Sequence, residues 1–178
     1  MDGTFDQQRP IRQLARLEPE ELYSFDLKSA TDRWPLSIMY TLFELCFGST
    51  FASSVVNSSL GLNSFWVWKP LVRRRTIVSF IAGQPLGYYG SWALFSLSHH
   101  FIVWLAALRA YPQRKSIPFR NYAILGDDVV IGDSMVAREY SLILQGLKVV
   151  VSAKKSLLSS LGAFEFAKKF DCWGGTVD

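Results

Sequence analysis

Three aspartates in this sequence have no evident packing role: Asp26, and the adjacent Asp127 and Asp128 of Gly126-Asp127-Asp128. Asp26 closes Tyr23-Ser24-Phe25, which alternates bulky and polar residues as a short strand does. The pair lies between two apolar runs, Tyr122-Ala123-Ile124-Leu125 and Val129-Val130-Ile131. Strands disfavour aspartate and adjacent like charges repel, whereas a tight turn accommodates Gly-Asp cheaply. If the strand ending at Asp26 pairs with this hairpin, three carboxylates converge. Divalent cations neutralise such a cluster, and oxygen-only ligation favours Mg2+ or Mn2+. Two ions about 3.5–4 Å apart can activate an attacking hydroxyl and stabilise a leaving phosphate oxygen. The chemistry expected is in-line phosphoryl transfer, governed by positioning and charge stabilisation.

The elements that must position these acids are legible in outline. With 178 residues, 49% hydrophobic and 19% charged, the chain has the make-up of one globular domain over residues 1–178. That composition excludes disorder, collagen and coiled coil. We expect an irregular N-terminal segment (1–20) in which Pro10 breaks any early helix, the chemistry-bearing region at 21–170, and a tail at 171–178. Helical spacing runs from Leu36 to Cys46 with Pro35 in the first turn, and a loop or weak helix follows from Gly48 to Gly61. Strands are expected at Phe65–Trp68 and Thr76–Ile81, around the basic turn Lys69 to Arg75. A helix from Ser134 to Gln145, stopped by Gly146, precedes a strand at Leu147–Val151. The fold class is α+β, a split βαβ (ferredoxin-like) antiparallel sheet with helices on one face.

Charge and cysteines narrow the setting. A formal net charge of +4 permits nucleic-acid contact without demanding it. Cys46 and Cys172 suggest neither a disulfide framework nor a zinc site, in keeping with a reducing interior. The acidic start is neither a secretory signal nor a transit peptide. Ser91–Leu108 approaches membrane-spanning length, but Ser91, Ser96, Ser98, His99 and His100 interrupt it, so a buried core helix is expected. His99 and His100 read as satisfied core histidines, not metal ligands.

Taken together, these residues resemble a family. Asp26-Leu27-Lys28-Ser29-Ala30-Thr31-Asp32-Arg33, the Gly83–His100 segment and Gly126-Asp127-Asp128 look like motifs A, B and C of viral RNA-dependent RNA polymerases, most closely those of mitoviruses. Asp2-Gly3-Thr4-Phe5-Asp6-Gln7 and Gly162 to Phe170 are similar to sequences flanking that core, so the likeness covers nearly the whole chain. It implies a polymerase palm with fingers and thumb largely missing.

The resemblance implies roles. Asp26 and Asp127 become the principal ligands of two Mg2+ or Mn2+ ions, with Asp128 assisting. Asp32, six residues after Asp26, would sense the ribose hydroxyl, though it can also cap a helix. Gly83–Ser91 corresponds to motif B: Gly87 lets the backbone approach nucleotide and template, and Ser91 lies near the ribose or template strand, or N-caps the long helix. The asparagine many such polymerases carry farther along motif B has no counterpart here, where Phe95 and Ser96 stand. Lys154 and Lys155 resemble motif D, in which a lysine protonates departing pyrophosphate; Lys155 is the candidate carried forward, the choice between the two stays open, and a solvated surface pair is the alternative. Arg73, Arg74 and Arg75 would contact RNA, or keep a loop solvated.

The partners implied are RNA template, primer and nucleoside triphosphates, with mitochondria as the setting and a copy integrated in a host genome as the origin. Autonomous synthesis is not expected, because the upstream basic triphosphate grip has no room before Asp26. A membrane-associated interaction protein and a non-catalytic RNA-binding remnant are the competing classes. Reverse transcriptases rank lower, since their usual aromatic-x-Asp-Asp turn is replaced by Gly126-Asp127-Asp128.

Overall fold

A computed structural model describes residues 2–61, 63–80, 82–85, 87–152, 157–159, 164–166, 169–172 and 175–177. The elements in chain order begin with helix α1 (Gln8–Ala15), strand β1 (Leu22–Asp26) and helices α2 (Ala30–Arg33), α3 (Leu36–Phe47) and α4 (Ser49–Ala52). Strands β2 (Ser64–Val67) and β3 (Thr76–Ser79), helix α5 (Tyr89–Ala110), and strands β4 (Tyr122–Leu125) and β5 (Asp128–Ile131) follow. Helix α6 (Ser134–Gly146) and strands β6 (Leu157–Ser159), β7 (Phe164–Phe166), β8 (Lys169–Cys172) and β9 (Gly175–Val177) complete the chain. This mixture of helix and antiparallel sheet forms two compact units: Met1–Ser29 with His99–Asp178, and Ala30–Ser98.

The first unit is built on a four-stranded sheet in the order β4-β5-β1-β6, every neighbour antiparallel. Because strand side chains alternate in direction, register decides which residues share a face. Leu22, Ser24 and Asp26 fall on one face with Ala123, Leu125, Val130 and Asp128. There Leu22, Ala123 and Val130 bury with Leu14 of α1 and Phe166 of β7. The opposite face meets α5 and α6: Phe25 lies 5.2 Å from the Tyr140 ring, and Tyr122 lies 5.5 Å from His100. Helix α6 starts where Asp133 accepts the Val136 amide at 2.9 Å, a side-chain N-cap.

The second unit packs around Trp34 and Met39, both fully buried. Trp34 meets Phe95 edge-on at 4.9 Å and donates its indole N–H to the Ser98 hydroxyl at 2.8 Å. The β2–β3 hairpin belongs to this unit, with Trp66 opposite Ile77. A π-helical stretch, Ser53–Gly61, follows α4 where a loop or weak helix was expected.

Five expectations change. Pro10 does not prevent an early helix: it is the third residue of α1, where its missing N–H has no intrahelical acceptor to lose. With Leu14, Pro10 buries against the sheet, so helices occupy both faces and not one. Gly146 is the last residue of α6 and not its stop; the left-handed residue is Lys148, at φ 59°. Only Val151 of the expected Leu147–Val151 strand pairs, in a single antiparallel bridge to Leu27. The expected tail instead supplies part of β8 and all of β9, which pair with each other.

Among the described helices, α5 alone is long and apolar enough to cross a membrane, and 61% of its apolar window is buried. That matches the expected core helix.

Candidate active site

The turn between β4 and β5 contains two residues, Gly126 and Asp127, since Leu125 pairs directly with Asp128. Gly126 has φ +60°, whereas Asp127 keeps a negative φ. This is the pattern of a type II′ hairpin, with glycine at the first central position. The sequence folds here because only glycine takes that angle without strain, and because the β-branched residues of β5 resume at once.

The antiparallel register then places Asp26 directly opposite Asp128. Directly opposed residues share a sheet face, with Cβ atoms about 4.5–5.5 Å apart. The Asp26 and Asp128 side chains are half-buried, and Asp127 is exposed in the turn. Backbone bonds fix this end of the sheet: Leu27 donates its amide to the Asp127 carbonyl at 3.3 Å, and Ser152 donates to the Asp26 carbonyl at 2.8 Å. The donor set is all carboxylate, the chemistry that suits a hard divalent cation. Among the described residues, no three His, Cys, Asp or Glu side chains converge closely enough to hold a metal ion. The register thus brings two carboxylates together and leaves the third one residue away.

His99 of α5 grips the turn from behind. Its Nδ1 lies 2.8 Å from the Gly126 carbonyl and its Nε2 2.7 Å from the Tyr140 hydroxyl. A carbonyl only accepts, so Nδ1 carries the proton and Nε2 accepts from Tyr140. Burial lowers the His99 pKa to about 4, opposed by the bond to Gly126, so the ring is neutral near pH 7. His100 takes the other tautomer: Nε2 donates to Asp2 at 3.1 Å and Nδ1 accepts from the Tyr122 hydroxyl at 2.9 Å. Both histidines are buried and satisfied, as expected. The grip of His99 on the turn left no trace in the sequence, because 27 positions separate the partners.

The remaining site residues fall in the second unit or outside the described residues. Asp32 is exposed within α2; the N-cap of α3 is Pro35, so Asp32 caps no helix there. Gly83 packs onto it: a Cβ at Gly83 would stand 2.4 Å from the Asp32 carbonyl carbon and 2.5 Å from the Thr31 oxygen. Gly83 and Gln84 also donate amides to Trp34 and Thr31 carbonyls, at 2.8 and 2.7 Å. Gly83→Ala must therefore displace the backbone carrying Asp32, and we expect a loss of about 2 kcal/mol or more in denaturant titration. Unchanged stability would contradict this packing. Gln84 is buried, with neither side-chain amide atom partnered among the described residues.

Gly87 takes φ +83° with open space around it. Ser91 is buried inside α5 and donates its hydroxyl to the Pro85 carbonyl at 3.1 Å, so it braces the preceding turn and does not N-cap the helix. Arg73, Arg74 and Arg75 are exposed between β2 and β3. Lys154 and Lys155 lie outside the described residues.

The family model for the mitovirus RNA-dependent RNA polymerase matches residues 1–176. The chain belongs to that family. It is 37% identical over 176 residues to the RNA-directed RNA polymerase of Cryphonectria parasitica mitovirus 1, covering 94% of this chain but 20% of that polymerase. Two mitochondrial proteins of Arabidopsis thaliana are 56% and 49% identical, over 95% and 88% of this chain and 66% and 75% of their own lengths. Among solved structures, telomerase from Candida albicans in complex with a telomeric RNA fragment superposes with a TM-score of 0.68 at 12% identity. That match covers 95% of this chain and 34% of the telomerase chain. Apo telomerase from Candida tropicalis gives 0.65 at 14% identity, over 97% and 39%. At such identities the likeness is one of fold. Family membership agrees with the resemblance carried by motifs A, B and C.

Proposed function

We propose that the first unit is a polymerase palm and that the chain is a fragment of an RNA-dependent RNA polymerase using two-metal nucleotidyl transfer. One observation carries this reading: Asp26 and Asp128 are cross-strand partners, with Asp127 beside them in the turn. The chain order β1, α5, β4, β5, α6, β6 and the sheet order β4-β5-β1-β6 support a split βαβ (ferredoxin-like) palm.

In this reading Asp26 and Asp127 would hold Mg2+ or Mn2+, with Asp128 assisting. Such ions supply charge neutralisation at the transferring phosphate. The chain's own residues do the rest. Asp32 accepts the ribose 2′-hydroxyl, leaving a site group unpaired when a deoxyribose enters. Gly87 lets the backbone approach nucleotide and template, and nearby Ser91 braces that turn through its bond to the Pro85 carbonyl. Lys155, or its neighbour Lys154, protonates departing pyrophosphate. Arg73, Arg74 and Arg75 contact the RNA backbone.

The partners are RNA template, primer and nucleoside triphosphates. The chain spans 20% of the viral polymerase it matches, so the activity of that whole polymerase is proposed for it only in the company of the remaining parts. Relatives in a mitovirus and among Arabidopsis mitochondrial proteins support a mitochondrial setting and an origin as an integrated viral copy.

Primer extension with Mg2+ or Mn2+ tests the reading in two arms. The isolated chain should give no extended product. The same chain, substituted for the matching region of the mitovirus polymerase, should restore RNA synthesis. A well-folded chimera without activity would contradict the assignment.

A further inference from the structure

The β2–β3 hairpin carries features that packing does not explain. The β2 residues alternate, with Phe65 and Val67 half-buried and Ser64 and Trp66 exposed, and Trp68 just past the strand is exposed too. Phe65 meets Phe80, just past β3, edge-on at 5.6 Å. Trp66 is 62% exposed, Ile77 opposite it 55%, and Trp68, just past the end of β2, 60%. Two indoles at that exposure, two residues apart in sequence, leave large apolar rings in water.

Cations surround them. Trp66, Trp68, Lys69, Arg73 and Arg75 line a shallow cavity of about 670 Å³. Among the described residues, none of Lys69, Arg73, Arg74 or Arg75 has an acidic partner. No Asp or Glu occurs between Glu44 and Asp127, a span that holds eight Lys and Arg. A second copy of this face would meet it with like charge, which disfavours self-association. A flat, ring-bearing cationic surface complements a polyanion whose units expose aromatic faces, and in a duplex those faces are hidden.

We propose that this hairpin face is a stacking platform for single-stranded RNA, with Trp66 and Trp68 stacking on bases and Lys69, Arg73 and Arg75 following the phosphates. The proposal deepens the RNA-contact reading of Arg73–Arg75 and does not depend on the carboxylate site. It adds two recognition residues and a preference for unpaired strands.

The test uses the full chain without metal and a labelled oligouridylate of about 12 nucleotides, within usual single-strand site sizes. Binding is read by anisotropy and by quenching of tryptophan fluorescence, across a salt series. Trp66→Ala with Trp68→Ala should weaken binding by about tenfold per ring and remove most of the quenching, while the salt slope holds. Phe at both positions should recover most of the affinity. Arg73→Gln with Arg75→Gln should instead reduce the slope of log affinity against log salt by about 1.4. Duplex RNA should bind more weakly than the single strand.

Other outcomes overturn the proposal in distinguishable ways. Salt-sensitive binding untouched by loss of the tryptophans keeps the arginine contact and ends the stacking platform. No binding at all ends both. Association with anionic phospholipid vesicles that RNA does not displace would assign the face to a membrane surface. Unchanged RNA binding in an Asp26→Ala, Asp127→Ala variant separates this question from catalysis.

Discussion

In a polymerase carrying this chain at its matching region, Asp127→Asn lowers RNA synthesis by about 10³-fold or more and leaves stability unchanged. The Asp127 side chain is exposed in the turn, and its backbone carbonyl, not its carboxylate, accepts the Leu27 amide. Asparagine can take the same turn position, so the fold loses nothing. What disappears is one negative charge of the set proposed to hold divalent cations. Metal stabilisation of transition-state charge amounts to several kcal/mol, and each 1.36 kcal/mol is about tenfold in rate. Single-turnover extension across a Mg2+ titration is the measurement. Activity within tenfold of the parent at saturating Mg2+ would remove Asp127 from the site.

His99→Leu destabilises the chain by about 2–6 kcal/mol, because it strands two buried groups at once. The Gly126 carbonyl loses its donor and the Tyr140 hydroxyl its acceptor, each costing about 1–3 kcal/mol when buried. His99→Asn should recover part of this, since its amide N–H can stand where Nδ1–H stood. The same residue sets a pH dependence. The unfolded imidazole binds a proton near pH 6.5, and the folded one only near pH 4. Between those values the unfolded chain holds more protons, so acidification favours unfolding. The His99 contribution is complete above about pH 6.5 and falls by about 3 kcal/mol as pH drops toward 4. Burial lowers the neighbouring His100 as well, so the difference between the parent and His99→Asn isolates the effect. Equal acid sensitivity in both would refute it.

The parts of the fold written in local pattern were legible. Alternation marked β1, apolar runs on either side of Gly126 marked β4 and β5, helical spacing marked α3 and α6, and Gly126 marked the turn, because each depends on neighbours in sequence. Helix α1 was not legible: proline lowers helix propensity wherever it stands, and only its position in the first turn removes the penalty. Strand pairing is a tertiary matter, so the short strands β6 and β9 and the single bridge at Val151 did not show. The types of the three aspartates were informative. The facing of Asp26 and Asp128, the bond from His99 to Gly126 and the packing of Gly83 on Asp32 each join residues far apart in sequence.

The pairing of Asp26 with Asp128 has a consequence for how this site tolerates change. A strand has a two-residue beat, so inserting or deleting one residue within Leu22–Asp26 would send the Asp26 carboxylate to the far side while the ladder re-forms. Such a protein would keep its spectroscopic signature of sheet while the two carboxylates part company. Point changes along β1 are graded in effect, whereas a shift in phase is all or none.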